Sequence, residues 1–408
     1  MRLAASAFAA VVALLVGTAQ PKADETPVKI GVLTDMSSLY ADLGGPGSVE
    51  AARMAIDDFG GKVLGKPIEL VYADHQNKPD IGSAIARRWY DSEGVDVITD
   101  VPTSSVALAV ENVSRQSHKL VLFSGPGSSD ITGKDCSPYA AHWTYDTYAL
   151  AHGTGSAIVK EGGKTWFFIT ADYAFGHALE RDTAAVVTQL GGKVLGQALV
   201  PLNTADFSSY LLQAAGSKAQ IIGLANAGQD TTNAIKQAAE FGITGRGQKL
   251  AGLLVFITDV HALGLQIAQG LQLTSAFYWN QNDQTRAWSQ RFFKVIHHMP
   301  TMVQAGVYSA VHHYLEAVKA VGTKDPDKVM AQMRVTPIND FMTHDGKLRI
   351  DGRVMRNLYL FEVKSPAESK EPWDYFKQLR VIPAEDAFRP LDQGGCPLVT
   401  KAAETQQK

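Results

Sequence analysis

Small polar residues follow two buried strands of the sequence, and their types are suited to holding an anion. The β-branched run Val95–Thr99 predicts a strand, and Pro102–Ser105 then opens a helix with hydroxyl residues that can cap it. A helix start offers free backbone N–H groups and the positive end of the helix dipole, which suit a carboxylate. The next strand, Lys119–Phe123, ends in a loop where Gly125 and Gly127 let the backbone approach a ligand closely. No proton-transfer set accompanies these residues, so the pattern predicts binding and not catalysis.

Two later strand ends carry side chains that are suited to contacting a ligand. Tyr173 and Phe175 follow the predicted strand Thr165–Ile169 and offer aromatic ring faces. Asn226 follows the predicted strand Ala219–Ala225 and offers both a donor and an acceptor. Ordinary packing is a less favoured explanation of the two rings, whereas a turn or a helix cap would explain the asparagine equally well. The sequence leaves both alternatives open.

Three patterns that resemble catalytic or nucleotide-binding motifs fail on spacing. Gly163-Lys164-Thr165 lacks the earlier glycine of a phosphate loop, because Ile158 stands at that position. Gly44–Gly47 lies ten residues after the first strand and does not have the G-x-G-x-x-G spacing of a dinucleotide site. The pairs His297–His298 and His312–His313 do not fit the H-E-x-x-H zinc pattern. We therefore predict no metal, no cofactor and no enzymatic activity.

The elements that must position these residues alternate between strand and helix. This alternation predicts the α/β class, with parallel sheets flanked by helices. It begins at Val28–Leu33, breaks at Tyr139–Asp146 and then restarts, which indicates a second complete α/β unit. Helices follow, and Gly346–Ile350 with Arg356–Val363 predict an antiparallel pair around the turn Asp351-Gly352. A polar tail with scattered prolines ends the chain.

Length and composition are those of an exported globular protein. The chain has 408 residues, enough for two or three domains, with 45% hydrophobic and 19% charged residues. A net charge of −3, spread along the sequence, gives no support for a nucleic-acid partner. Residues 1–19 combine Arg2, a short apolar run and small residues, which is typical of a secretory signal peptide. No other stretch is long and apolar enough to span a membrane.

The two cysteines of the chain, Cys136 and Cys396, both lie in the exported part. An isolated pair usually forms a disulfide in an oxidising compartment, so we predict a bond and not two free thiols. Such a bond would tie the carboxyl-terminal tail to the first third of the chain.

The order of several motifs resembles the periplasmic leucine/isoleucine/valine-binding protein family, whose members are solute receptors of ABC importers. The resemblance rests on Val28–Leu33 with Tyr40, Thr103–Ser105, Ser124–Gly127 and Asp172–Gly176. It covers the chain from about Val28 to Val363, and its strength lies in the order and spacing of all these motifs together.

The resemblance implies a type I periplasmic binding protein, in which two Rossmann-like lobes with parallel central sheets close on a solute around a three-crossing hinge. The crossings are expected near Thr144–Thr147, Asn280–Asp283 and Asn339–Asp345. Lobe one would combine residues 27–145 with 284–338, and lobe two residues 146–283 with 340–363. The tail, 364–408, would return to the hinge through Cys136. A periplasmic location, a membrane permease as partner and a monomeric state are also expected.

The resemblance also implies roles for individual residues. In the family, the loops matching Thr103–Ser105 and Gly125–Gly127 hold the ligand carboxylate, and an aromatic residue matching Tyr173 or Phe175 closes from lobe two. Amino-acid-binding members add an acidic residue in the second lobe, but here that position falls in the apolar run Gly252–Phe256 or at Thr258. The ligand contacts predicted from all these arguments are Tyr40, Ser104, Ser105, Gly125, Gly127, Tyr173, Phe175, Asn226, Phe256 and Thr258.

The missing acidic residue decides which ligand class is expected. Burying an unpaired ammonium group costs several kcal/mol, so α-amino acids would be poor ligands unless Asp259 can reach the site. Leu254, Val255 and Phe256 instead favour an apolar body. We therefore expect a carboxylate with a hydrophobic or aromatic body, such as a benzoate or a phenylpropanoid acid. Branched-chain amino acid binding is the alternative, followed by an amide or small-molecule sensor of the same fold and by an enzyme on a doubly wound sheet.

Overall fold

A computed structural model of the chain describes residues 26–243, 245 and 247–406. The predicted signal peptide, residues 1–19, lies outside the described residues. The described chain forms two parallel sheets with helices around them, so the predicted α/β class is confirmed. Within these residues no helix combines the length and apolar character that a membrane span requires.

The first unit is built on a five-stranded parallel sheet with the strand order β4-β1-β5-β6-β7. Its central strands are buried on both faces, as expected for aliphatic runs covered by helices on both sides. The elements are β1 (Lys29–Thr34), α1 (Gly45–Phe59), β2 (Lys62–Val63), β3 (Lys66–Pro67), β4 (Glu69–Asp74), α2 (Pro79–Asp91), β5 (Val97–Asp100), α3 (Ser104–Ser117), β6 (Leu120–Phe123), a 3-10 helix (Ser129–Thr132) and β7 (Ala140–His142).

The second unit is built on a four-stranded parallel sheet with the order β11-β10-β8-β9. The run Trp166–Ile169 is nearly all aromatic or β-branched and lies in the centre of this sheet. The elements are α4 (Thr147–Leu150), a π-helical turn (Ala151–Gly155), α5 (Ser156–Lys160), β8 (Thr165–Ala171), α6 (Ala174–Gln189), β9 (Lys193–Val200), α7 (Ser208–Gly216), β10 (Ile221–Ala225), α8 (Gln229–Glu240), β11 (Lys249–Gly252), α9 (Ile257–Leu263), α10 (Leu265–Ala268) and β12 (Gln272–Ser275).

The last third of the chain contributes to both units. The long helix α12 packs along α1, and β15 joins β12 and β16 in a three-stranded antiparallel sheet. The elements are α11 (Asp283–Ile296), α12 (Met302–Val321), α13 (Pro326–Val335), β13 (Lys347–Leu348), β14 (Val354–Met355), β15 (Leu358–Val363), β16 (Phe376–Ile382), α14 (Ala384–Ala387), a 3-10 helix (Leu391–Gln393) and α15 (Pro397–Gln406).

The predicted antiparallel pair is wrong in its partners. The turn at Asp351-Gly352 joins only the short strands β13 and β14, whereas β15 pairs with β12 and β16. The strand predicted over Arg356–Val363 is present but begins at Leu358, and the buried Arg356 guanidinium before it donates to the carbonyl oxygens of Met342 and Ala276. The tail also contains a strand, β16, which was not predicted.

The chain passes between the units near residues 143–146 and 276–282, and it passes a third time before β15. Arg353 forms a parallel bridge with His142 of the first unit, so residues just before β15 still contact that unit. These contacts favour a third crossing near residues 356–357, later than the expected one. The division of the chain into two lobes stays a prediction.

The predicted disulfide is confirmed. Cys136 and Cys396 are joined, with their Sγ atoms 1.99 Å apart and their Cα atoms 5.6 Å apart. The bond fixes the tail beside the segment that leads into β7, across a sequence separation of 260 residues.

Candidate functional site

A small cavity lies between the two units, at the carboxyl ends of their parallel strands. Open α/β sheets bind their ligands at this position. The space between its walls is narrow, because side chains of the two units already meet across it. Its lining residues are Tyr40, Leu43, Pro102, Gly125, Gly127, Tyr145, Tyr173, Phe175, Ala227, Leu254 and Phe256.

The topology explains why residues so distant in sequence meet there. In the first unit, the loops after β1, β5 and β6 supply Tyr40, Pro102 and the two glycines. In the second unit, the segments after β8, β10 and β11 supply Tyr173 with Phe175, Ala227, and Leu254 with Phe256. Six of the ten predicted contacts therefore line one cavity; they are Tyr40, Gly125, Gly127, Tyr173, Phe175 and Phe256.

Two tyrosines connect the units across the cavity. The hydroxyl groups of Tyr40 and Tyr173 form a hydrogen bond with each other. Burial raises the pKa of both phenols, so each hydroxyl keeps its proton and can donate a hydrogen bond at neutral pH. The units also touch beside this pair, because a β-carbon at Gly228 would lie 2.5 Å from the Leu39 carbonyl oxygen. The structure therefore represents a closed arrangement.

The loop containing Gly125 and Gly127 is held by a serine beneath it. Ser104 is fully buried, and its Oγ accepts hydrogen bonds from the N–H groups of Gly127 and Ser128, at 3.2 and 3.1 Å. Tyr145 donates from its hydroxyl to the Gly125 carbonyl oxygen at 2.7 Å. Ser104 does not line the cavity, so the structure places it as a support of the loop.

Both glycines are required by close approach. A β-carbon at Gly125 would lie 2.6 Å from Pro102 Cα, within the same unit. A β-carbon at Gly127 would lie 2.7 Å from the Phe175 ring, which belongs to the opposite unit. A side chain at Gly125 would therefore distort the loop within its own unit. A side chain at Gly127 would instead oppose the contact between the two units.

The amino terminus of α3 faces this region directly after Pro102. The Thr103 side chain does not cap the helix, because its hydroxyl donates instead to Asn77 Oδ1. The first N–H groups of a helix have no intrahelical acceptor, and they carry the positive end of the dipole. Ser105 lies in this first turn and is half-buried, but it does not line the cavity.

Two predicted contacts of the second unit lie behind the cavity wall. Asn226 is buried, and its Oδ1 accepts a hydrogen bond from the Thr231 hydroxyl at 2.6 Å, which braces the start of α8. Its neighbour Ala227 lines the cavity instead. Thr258 lies in α9 and does not line the cavity either.

Asp259 is engaged in helix capping. Its Oδ2 accepts a hydrogen bond from the Phe256 N–H at 2.8 Å, at the start of α9. Burial raises the pKa of this carboxyl to about 7. Asp230 is similarly occupied, because its two oxygens accept from the N–H groups of Asn203 and Thr204. Neither carboxyl lines the cavity, and among the described residues no Lys, Arg or His side chain does so.

Sequence analysis missed several residues of the site. Leu43, Tyr145 and Ala227 line the cavity without having been predicted. The break in the strand–helix rhythm at Tyr139–Asp146 was the one signal for Tyr145, since chain crossings border such clefts. Small and aliphatic residues carry no comparable signal, because their types are common in every core.

Asp100, the last residue of β5, was also missed. It is fully buried, and its oxygens meet no well-aligned hydrogen-bond partner within the described residues, although the Ser48 and Thr34 hydroxyls lie near enough to lower its pKa in part. Burial raises the pKa of this carboxyl to about 7. The backbone φ angles of Asp100 and Val101 are +80° and +55°, a conformation that costs a non-glycine residue about 1–3 kcal/mol. Strain of this kind is concentrated at functional sites.

The sequence profile of the periplasmic binding protein family matches residues 27–370 of this chain. The chain belongs to that family. A periplasmic binding protein from Burkholderia mallei is 55% identical, covers 91% of this chain and 99% of its own, and superposes with a TM-score of 0.90.

Two further solved structures are similar to this chain. One is a branched-chain amino acid ABC transporter periplasmic ligand-binding protein from Burkholderia xenovorans LB400, with 42% identity, 91% and 99% coverage and a TM-score of 0.81. The other is an ABC transporter solute-binding protein from R. palustris in complex with benzoate. It shares the fold, with 22% identity, 91% and 100% coverage and a TM-score of 0.80.

These findings confirm the family predicted from the sequence and the type I fold. The protein is a periplasmic solute-binding protein of an ABC transporter, and its family and fold are those of transport receptors, not of enzymes. Membership of the family implies a periplasmic location.

Proposed function

We propose that this receptor binds a small carboxylate with an aromatic or hydrophobic body, of the benzoate or phenylpropanoid type, and delivers it to a membrane permease. The observation that carries the proposal is the lining of the cavity between the units. It combines aromatic and aliphatic side chains with two protonated tyrosine hydroxyls, and it contains no charged side chain.

The aromatic lining suits a flat apolar body. Tyr145 and Phe256 meet edge to face, with ring centroids 6.3 Å apart, and Phe175 and Leu254 complete the apolar wall. Aromatic pairs prefer offset or edge-to-face packing, which such a wall would offer to a ligand ring.

The carboxylate would lie at the wall formed by Pro102, Gly125 and Gly127. The uncapped amino terminus of α3 begins beside this wall, and a helix amino terminus favours an anion by about 0.3–1 kcal/mol even when exposed. The Tyr40 and Tyr173 hydroxyls can turn from each other to the ligand. The ligand oxygen would then replace a contact that already joins the two units.

The position of the acidic groups favours such an acid over an α-amino acid. Asp259 caps α9, and Asp230 accepts two backbone hydrogen bonds, so neither is presented to an ammonium group in the cavity. Leu254 forms part of the apolar wall. An ammonium group buried there without a partner would cost several kcal/mol.

Branched-chain amino acid binding is the second candidate. It is favoured by the similarity to the Burkholderia xenovorans protein, whose description names branched-chain amino acids. The two candidates differ in one respect that can be measured, namely whether the ligand must carry an ammonium group.

A calorimetric and thermal-shift panel tests the proposal. Benzoate, 4-hydroxybenzoate and cinnamate would be compared with leucine and valine, and benzamide would serve as a neutral control of the same shape as benzoate. A ligand at 100 times its Kd stabilises the folded protein by about 2.7 kcal/mol. We expect stabilisation by the aromatic acids and little by benzamide. Stabilisation by leucine and not by the aromatic acids would refute the proposal.

A further inference from the structure

The loop that forms one wall of the cavity rests on a buried carboxyl group. Asp100 lies directly beneath Gly125: a β-carbon at Gly125 would be 2.7 Å from Asp100 Oδ1 and 2.6 Å from Pro102 Cα. Gly125 and Pro102 both line the cavity. Asp100 is therefore separated from the cavity only by backbone atoms of this wall.

The surroundings of Asp100 are polar but do not include a cation. A β-carbon at Gly44 would lie 3.0 Å from Asp100 Oδ2, 3.2 Å from Thr34 Oγ1 and 3.5 Å from Ser48 Oγ. These contacts place two hydroxyl groups around the carboxyl. The ionisable groups that act on it are Asp35, at the end of β1, and Tyr145, on the other side of the Gly125 loop. Asp35 holds its negative charge, because hydrogen bonds from Ser38, Asn77 and the Tyr40 N–H outweigh its burial.

A second negative charge in the cavity would act on the same group. If a carboxylate lies at the wall formed by Pro102, Gly125 and Gly127, only one layer of backbone separates it from Asp100. Two carboxylates that share a dehydrated site do not both stay ionised. The ligand is the stronger acid, with the pKa of about 4.3 of an ordinary carboxyl group, whereas burial has already raised the pKa of Asp100 to about 7. The proton therefore belongs on Asp100.

We propose that the receptor takes up one proton from solvent with each carboxylate that it binds, and that Asp100 carries this proton. The inference rests on the proposed carboxylate function. The proton forms a bond to a carboxyl oxygen of Asp100 and comes from water or buffer, while the ligand stays ionised. The neutral carboxyl can then donate a hydrogen bond to the Ser48 or Thr34 hydroxyl, and the wall of the site carries no charge that would repel the ligand.

The coupling between proton uptake and ligand binding determines how the ligand affinity should depend on pH. Below about pH 7 the empty protein already holds the proton, so binding takes up none and the affinity does not change with pH. Above about pH 7 the empty protein has lost the proton and must regain it. The affinity for a carboxylate then falls by up to tenfold for each pH unit.

Titration calorimetry with benzoate as the probe tests this inference on the mature protein. The binding heat would be measured at pH 5.5 and pH 8 in pairs of buffers with different ionisation enthalpies, which reports the number of protons taken up. We expect a value near zero at pH 5.5 and a value approaching one at pH 8. Binding at both pH values without proton uptake would overturn the inference and leave the proposed function standing. Absence of binding by benzoate, 4-hydroxybenzoate and cinnamate at every pH would overturn both.

Variants assign the proton to a residue. Asp100→Asn keeps the shape of a neutral carboxyl and should bind benzoate with the same affinity from pH 5.5 to pH 8, without proton uptake. Glu111→Gln is the matched control, because Glu111 is also a buried carboxyl without a partner among the described residues, but it lies on α3 away from the cavity. This control should keep the pH dependence of the wild type. Proton uptake that persists in a folded Asp100→Asn variant would contradict the assignment, and if this variant does not fold, the wild-type buffer series decides alone.

Discussion

The hydroxyl groups of Tyr40 and Tyr173 form a hydrogen bond that joins the loop after β1 to the loop after β8. It crosses the cavity at which the strand ends of both units meet, and both phenols are protonated; Tyr40 is buried and Tyr173 is half-buried. The pair therefore contributes to the closed arrangement. A ligand that accepts hydrogen bonds from these hydroxyls would therefore bind to the same two groups that hold the units together.

Removal of either hydroxyl should weaken binding. A hydrogen bond of this kind contributes about 0.5–1.5 kcal/mol, so Tyr40→Phe or Tyr173→Phe should reduce ligand affinity about two- to tenfold in calorimetry. The double variant should lose less than the sum of the two, because the residues share one interaction. Tyr72→Phe is the control, because Tyr72 lies on β4 and is 57% exposed. The ligand affinity of this variant should equal that of the wild type. Additive losses would show that the two hydroxyls act independently.

Ser104 and Ser105 should have separable roles. Ser104→Ala leaves the buried N–H groups of Gly127 and Ser128 without their acceptor, which should lower the free energy of unfolding by about 1–3 kcal/mol. Ser105→Ala should leave stability nearly unchanged, because this half-buried residue forms no comparable support. Urea unfolding and ligand titration of both variants distinguish support from direct contact. Equal stability of the two variants would contradict the support role of Ser104.

Substitution of the two glycines of the loop should have different effects on binding and on stability. Gly127→Ala would bring a β-carbon to 2.7 Å from the Phe175 ring of the other unit, so the variant should fold normally but close poorly. We expect at least tenfold weaker binding with an unchanged unfolding midpoint. Gly125→Ala would meet the backbone of Pro102 in its own unit and should lower the midpoint itself. Small-angle scattering can report whether Gly127→Ala stays open in the presence of ligand.

Asp259 should affect stability and not recognition. Its pKa is raised by burial to about 7, so its contribution to stability is complete below about pH 4 and is lost as the pH rises through 7. The stability advantage of the wild type over Asp259→Asn should therefore shrink by on the order of 2–3 kcal/mol between pH 5 and pH 8. Affinity for aromatic acids should stay unchanged in the variant. A selective loss of leucine binding would instead identify Asp259 as an ammonium partner.

The disulfide should make stability depend on redox conditions. A native bridge typically contributes about 2–4 kcal/mol, and this one closes a loop of 260 residues. A reducing agent should lower the urea midpoint of the wild type. The Cys136→Ser/Cys396→Ser variant should start from that lower midpoint and should not respond to the reducing agent.

Sequence analysis was most successful where the strand pattern was clear. The strand ends after β1, β6 and β8 were located correctly, and Tyr40, Gly127 and Tyr173 accordingly meet in one cavity. Whether these residues bind the ligand stays a prediction. The direction of a side chain was harder to predict, because a residue at a helix start can face the cavity or the loop beside it. Ser104 faces the loop, and Asn226 braces its own helix.

The antiparallel sheet of β12, β15 and β16 was not predicted from the sequence, and the reason is physical. A strand is recognised by alternation of buried and exposed residues or by a continuous apolar run. In β16 the residues between Phe376 and Ile382 are all exposed, so neither signal is present. Asp100 was missed for a related reason: a carboxyl at a strand end is normally solvated, and only the tertiary packing of Gly44 and Gly125 against it makes it unusual.

The exposed strand β16 also has a bearing on solubility. It lies at the edge of its sheet, and an uncovered edge is a template on which another chain can add a strand. Lys377 and Arg380 lie on this edge strand, and charged side chains there oppose such pairing. Two apolar side chains of the same strand, Leu379 and Val381, are exposed, so the charged residues are what opposes strand addition at this edge.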